Sequence, residues 1–264
     1  DCHEHLIGPE ARPPYKEPIA SLIHGYMLSD LLSAGFGLPE REINRLSDPE
    51  VSTDEKWPLF QNLWQATEHT AYARVTKLVL KSTYSESELT RQALERVAEK
   101  LAAQDEAAYF RAIDEAGIQA MLVDVLWWGP GDRFLQGKKT FPEKFRPLIS
   151  IPWLLQMAYS GDGLNTLRSM TDRHITSLDE YLEAVYHIFQ KCIERGAVGF
   201  KDQSAYNRII SYDLVPKAEA ERLFNQILSD PRTSLGWPEL KPLGDFLFHQ
   251  FMRYARELGK PVQV

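Results

Sequence analysis

Four short apolar runs punctuate the second half of the chain: Ile118–Val125, Phe145–Ile151, Ala197–Lys201 and Lys260–Val264. Each is brief and β-rich, the pattern of strands buried on both faces of a parallel sheet. Pro147 weakens the second run, because proline withholds a ladder donor. Helical patterns precede three of the runs, at Asp105–Ala116, Leu178–Arg195 and Leu243–Leu258, and a glycine follows each helix at Gly117, Gly196 and Gly259. Glycine just past a helix end accepts the left-handed conformation that closes it. Ser177-Leu178-Asp179-Glu180 predicts a capping box, and Tyr181, Leu182, Val185, Ile188, Phe189, Cys192 and Ile193 fall on one apolar stripe. Helix, glycine, buried strand and loop in repetition is the grammar of an α/β protein.

The front of the chain reads differently. A short strand around Asp1-Cys2-His3-Glu4-His5-Leu6 runs into a turn at Gly8-Pro9. Helices are then predicted over Ile19–Ala34, Trp57–Lys81 and Ser85–Ala103, the last with a capping box at Ser85-Glu86-Ser87-Glu88. This insert of about 100 residues far exceeds an ordinary strand-to-helix connection. It predicts a helical subdomain over residues 19–103. Trp57, Trp64, His69, Tyr72 and Arg74 lie in it, either as packing and solvated groups or as lid residues that reach a substrate.

Composition changes this picture little. Hydrophobic residues make up 44% and charged residues 25% of 264, ordinary for a globular enzyme. A net charge of −7 argues against nucleic acid and anionic membrane as partners. No apolar run nears the ~20 residues of a membrane span. The partners expected are a small-molecule substrate and, as an option, further copies of the same chain. Cys2 and Cys192 make neither a disulfide framework nor a zinc ribbon, so a cytoplasmic setting is the default. The chain opens on Asp1, and any targeting segment is expected upstream of it.

Candidate chemistry begins at His3-Glu4-His5. Residues i and i+2 of a strand point to one side, so His3 and His5 present two imidazoles together, a clamp for a divalent ion. The plainer alternative is two surface histidines. A second block, Gly199-Phe200-Lys201-Asp202-Gln203-Ser204-Ala205-Tyr206-Asn207-Arg208, ends a strand in a lysine and continues into a polar loop. Asp124 ends an earlier strand, with Trp127 and Trp128 close behind, as site walls or as packing. His24 sits in a predicted helix, and His69, His174, His187 and His249 have no partner at metal spacing.

The aspartate-led His-x-His, the strand-borne Lys201 and the βα alternation together resemble the amidohydrolase superfamily of metal-dependent TIM barrels. The large insert after the first strand resembles its amidohydrolase-2-like and uronate-isomerase-like branch. The resemblance implies a (β/α)8 barrel, of which residues 1–264 supply about five of the eight strands. It implies further ligands beyond Val264, two histidines and an aspartate, in a longer protein. It implies a divalent metal, zinc above all, on His3 and His5, with the bound water's pKa brought toward ~7. Metal-activated water attacking a small, anionic, carbonyl-containing substrate is the leading function. A uronate-isomerase-like sugar isomerase, a metal-dependent decarboxylase and a non-catalytic barrel are the alternatives. Lys201 then has three readings: a carbamate bridging two metals, a free ammonium that binds or stabilises negative charge, or a structural partner of Asp202. Tyr206 and Arg208 are the candidate substrate contacts, Arg208 as a bidentate carboxylate clamp or as a surface ion pair.

Overall fold

A computed structural model describes residues 17–23, 25–104, 106–124, 131–138, 140–230 and 235–264. These form two compact units that divide between Gly117 and Ile118. The predicted strand around Asp1, with His3 and His5, lies outside the described residues, as do His24, Trp127 and Trp128.

The first unit is helical. Its elements are α1 (Pro18–Leu22), α2 (Tyr26–Ala34), α3 (Glu40–Asn44), α4 (Thr53–Thr67), α5 (Ala71–Tyr84), α6 (Arg91–Ala102) and α7 (Glu106–Glu115). The single helix expected over Ile19–Ala34 is two, with Gly25 entering α2 at φ 83°. The helix expected over Trp57–Lys81 is also two, because Thr70 caps a new start by accepting from the Ala73 amide. Nor does Ser85 open a helix. It closes α5 in the left-handed conformation, and Thr90 caps α6 instead. Ile19, Ile23, Leu31, Phe60 and Leu94 are fully buried in the core.

One ion pair is sealed into this unit. Glu17 accepts the Ala20 amide of α1 at 2.8 Å and the Thr53 hydroxyl at 2.6 Å. It also meets the Lys56 ammonium, which donates in addition to the Asp48 carbonyl. Both side chains are nearly inaccessible, at 1% and 7% exposure. The starts of α1 and α4 converge on this one carboxylate.

The second unit holds β1 (Met121–Asp124), α8 (Gly131–Leu135), β2 (Phe145–Ser150), α9 (Ile151–Met157), α10 (Gly161–Thr171), α11 (Leu178–Glu194), β3 (Gly199–Lys201), α12 (Lys217–Ser229), α13 (Trp237–Glu257) and β4 (Val262–Gln263). The strands pair in parallel in the order β1-β2-β3-β4, as the run-and-helix alternation predicts. Pro147 sits in β2 between two neighbours. Its carbonyl accepts from Val198, and its missing donor falls one residue before the β2–β3 register begins at Leu148 and Gly199. No ladder bond is lost.

Gly117, Gly196 and Gly259 all have positive φ, at 69°, 101° and 63°, and close their helices as expected. Ser177 caps α11 by accepting from the Glu180 amide at 3.2 Å. Glu180 reaches back one residue further than a capping box requires, to the Thr176 amide at 2.7 Å. The helices α9, α10 and α12 were not expected from the sequence. The helix expected from Leu243 begins earlier, at Trp237, and carries Pro242 inside it. Pro242 withholds the hydrogen bond that the Pro238 carbonyl four residues earlier would otherwise accept.

The sheet packs on helices by one face. Phe200 meets Phe189 of α11 edge-on at 4.7 Å, and Phe189 meets Phe251 of α13 at 5.4 Å. Ile149 and Phe200 are fully buried in this core together with α9–α13 residues.

The Glu17–Lys56 pair yields the first test. Lys56→Met keeps the length of the stem and removes the charge, leaving a buried carboxylate without its cation. It should cost roughly 3–5 kcal/mol in denaturant unfolding. The exposed control Lys77→Met, whose pair with Glu68 is open to water, should cost under about 1 kcal/mol.

Candidate functional site

Residues opposite one another in a parallel pair share a face, and each strand alternates faces. The register therefore sorts the sheet. Met121, Val123, Phe145, Pro147, Ile149, Phe200 and Val262 lie on the helix-covered face. Leu122, Asp124, Leu148, Ser150, Gly199, Lys201 and Gln263 lie on the other. At the carboxyl ends of the strands this second face is polar: Asp124 on β1, Ser150 on β2, Lys201 on β3 and Gln263 on β4. Carboxyl ends are where parallel α/β proteins place their chemistry.

Gln203, two residues past Lys201, ties these ends together. Its amide nitrogen donates to Asp124 Oδ2, and its amide oxygen accepts the Ser150 hydroxyl at 3.3 Å. Ser150 is fully buried and Gln203 is 7% exposed.

Lys201 is likewise 7% exposed. Its neighbour Asp202 does not pair with it. The Asp202 carboxylate accepts from the Ser204 amide at 3.0 Å, the Ser204 hydroxyl at 2.5 Å and the Tyr212 hydroxyl at 2.8 Å. Burial pushes the Tyr212 phenol well above its usual range, so it stays protonated and donates. Among the described residues Lys201 makes no ion pair.

Tyr206 follows on the loop and is 62% exposed. Arg208 turns the other way, toward the helices. Its Nη2 meets Asp245 of α13 and the Ser211 carbonyl, and its Nε donates to the Ile209 carbonyl. The guanidinium lies between the rings of Tyr212, at 4.2 Å, and Trp237, at 4.5 Å. Tyr212 is in turn stacked on Phe248 at 3.5 Å. The Arg208 side chain is only 3% exposed, so it is not the surface ion pair the sequence allowed. Of the fork expected to clamp a carboxylate, Nε and Nη2 are engaged, while Nη1 is buried without a hydrogen-bond partner among the described residues. Asp245 also accepts from Lys241 at 2.5 Å and from the Asp213 amide at 3.0 Å. Gly244 makes room for this arrangement, since a Cβ there would fall 2.3 Å from the Tyr159 hydroxyl and 3.2 Å from Arg208 Nη1. Arg208 lines a cleft of about 180 Å³ with Gln156, Tyr159, Asn207 and Trp237, and Lys201 is not part of its wall.

Gln203, Ser150 and Asp245 were not singled out by the sequence. Gln203 had a usable signal, its spacing of two from a strand-ending lysine. Asp245 had none, because it sits in a helix 37 residues away from Arg208. Among the described residues no three His, Cys, Asp or Glu side chains group closely enough to hold a metal ion. Cys192 is a core residue, as expected, and burial pushes its thiol up to about 12. His249 contacts the Tyr212 carbonyl at 3.3 Å. No helix among the described residues is long and apolar enough to cross a membrane.

No family model and no curated protein matches the chain. A solved structure does: uronate isomerase from Thermotoga maritima, with a TM-score of 0.71 over 94% of this chain at 13% sequence identity. The chain spans about half of that structure's length, 53%. At that identity the likeness concerns the fold.

The ion pair at Asp245 yields the second test. Asp245→Ala strands the buried Arg208 guanidinium and should cost roughly 3–5 kcal/mol. Asp213→Ala, at a carboxylate 72% exposed, should leave the unfolding midpoint nearly unchanged. Comparing the two unfolding midpoints checks it.

Proposed function

We propose that the chain carries part of a metal-dependent enzyme that isomerises a uronic acid or a closely related hydroxy-carbonyl acid. One observation carries the reading. Lys201 stands buried, with no ion pair among the described residues, at the carboxyl end of β3, in a fold that parallels a uronate isomerase over 94% of this chain. A buried ammonium is costly without an anion, and a substrate carboxylate supplies one. Closure into a (β/α)8 barrel and the holding of a divalent metal, zinc in the first instance, by His3 and His5 belong to this proposal. The metal would polarise the substrate's carbonyl and hydroxyl oxygens. Tyr206 is proposed as a further substrate contact. Arg208 anchors the loop that bears Tyr206 through the contact of its Nη2 with Asp245, and its Nη1, buried without a hydrogen-bond partner among the described residues, is proposed as a substrate contact.

The isomerase reading is preferred to water-driven hydrolysis because the fold likeness is to an isomerase. Lys201 as an ammonium fits the same substrate. A carbamate would reverse its charge, and its signature would be rescue of Lys201→Ala by short carboxylic acids.

The test is a substrate panel read by NMR. D-Glucuronate and D-galacturonate should convert to their keto isomers with added divalent metal. Turnover of amides, lactones or aromatic carboxylates, with none of either uronate, would sink the isomerase in favour of a hydrolase or decarboxylase. His3→Ala and His5→Ala should each lose bound metal by elemental analysis. Unchanged stoichiometry in both would remove the metal from the proposal.

A further inference from the structure

Positive charge gathers away from the carboxyl ends of the strands, on a chain whose net charge is −7. The segments that end α8, α10 and α11 enclose a cleft of about 310 Å³. Leu135, Met170 and Ile188 give it apolar wall, and Lys138, Lys191 and Arg195 line it with His187 beside them. His187, Lys191 and Arg195 recur every four residues, so they share one face of α11, where like charges repel. The helix dipole favours cations near the end of α11. It does not bring Lys138 from beyond α8, or Arg173 from beyond α10, to the same place. Burial, Lys191 and Arg173 hold the His187 imidazole below its usual range, and Glu194 acts against them. Among the described residues Lys138, Lys191 and Arg195 make no ion pair. A Cβ on Gly137 would fall 2.1 Å from Arg195 Nη1, so this guanidinium rests against bare backbone. Leu135 and Lys138 precede β2, and Arg195 precedes β3. The cleft thus lies toward the amino ends of the strands that carry Ser150 and Lys201 at their other ends.

We propose that this cleft is a second binding site, for a phosphomonoester of a small organic molecule. A phosphate group carries nearly two negative charges near neutral pH and three acceptor oxygens. It answers three cations that lack ion pairs better than a single carboxylate does. Arg195 offers a planar fork to two of the oxygens, and Lys138 and Lys191 offer point charges. The cleft is larger than bare phosphate needs and reaches the lower range of small-molecule pockets. The organic part of the ester accordingly lies on Leu135, Met170 and Ile188. Bound phosphate would also relieve the repulsion along α11. Neither the uronate nor the metal proposed above enters this site, so it stands or falls apart from the isomerase.

Phenyl phosphate, inorganic phosphate and benzoate, titrated by calorimetry into the protein without added metal or uronate, test this. The unaltered protein should bind phenyl phosphate more tightly than inorganic phosphate, which lacks the apolar part, and than benzoate, which lacks the second charge. Arg195→Gln and Lys191→Met should each weaken phenyl phosphate by roughly tenfold or more. Glu194→Gln should tighten it, roughly twofold or more. The exposed control Lys81→Met, on α5, should change nothing. Removing one of several like charges relieves repulsion, so Lys191→Met without ligand should unfold no earlier than the unaltered protein. Lys138→Met, in a segment outside any helix, gives the same reading should Arg195→Gln fail to fold. D-Glucuronate in excess should not displace phenyl phosphate. Absence of saturable phenyl phosphate binding, undiminished affinity in the Lys138, Lys191 and Arg195 variants, or displacement by D-glucuronate would each overturn the site. Uronate turnover, measured separately, bears on the isomerase alone.

Discussion

A parallel sheet covered by helices on one side must divide its residues by alternation, and everything at the candidate site follows from that division. Phe200 goes down onto Phe189 of α11, so Lys201 goes up. Ile149 goes down, so Ser150 goes up. Val123 goes down, so Asp124 goes up. The apolar face is large and buried, and slipping one strand by a single residue would turn its whole set over. The hydrophobic core thus enforces the placement of a carboxylate, a hydroxyl and an ammonium that share no sequence proximity.

The loop after β3 converts this placement into fixed geometry. Asp202 is occupied by Ser204 and Tyr212, which keeps it from neutralising Lys201. Arg208, clasped between Tyr212 and Trp237 and paired with Asp245, fastens the far end of the loop to α13. Between the two anchors, Gln203 reaches across to β1 and β2. Buried charges of this kind add little net stability, since desolvation offsets their attraction. Their consequence here is that Lys201 stands at the end of β3 without an ion pair among the described residues.

The helical unit solves a different problem. Its segments are short, and α1 is too brief to persist alone. Glu17 accepts amides at the start of α1, the Thr53 hydroxyl at the start of α4 and the Lys56 ammonium. A helix cap has become a tertiary clasp.

The sequence by itself determined the parallel α/β pattern of residues 118–264, the positions of the strands and the glycines that close α7, α11 and α13. Those features are local: apolar runs, a 3.6-residue stripe, and a backbone conformation that glycine adopts without cost. It also marked Lys201 and Asp124 as strand-ending groups. It misread Ser85 and Leu243, where helix boundaries depend on which of several competent caps the packing selects. Only the tertiary structure decided that Gln203 joins Asp124 to Ser150 and that Arg208 faces Asp245. Partners 37 to 79 residues apart leave no periodic trace in the chain. They are chosen by the register of the strands and the burial of their apolar face, which no single segment encodes.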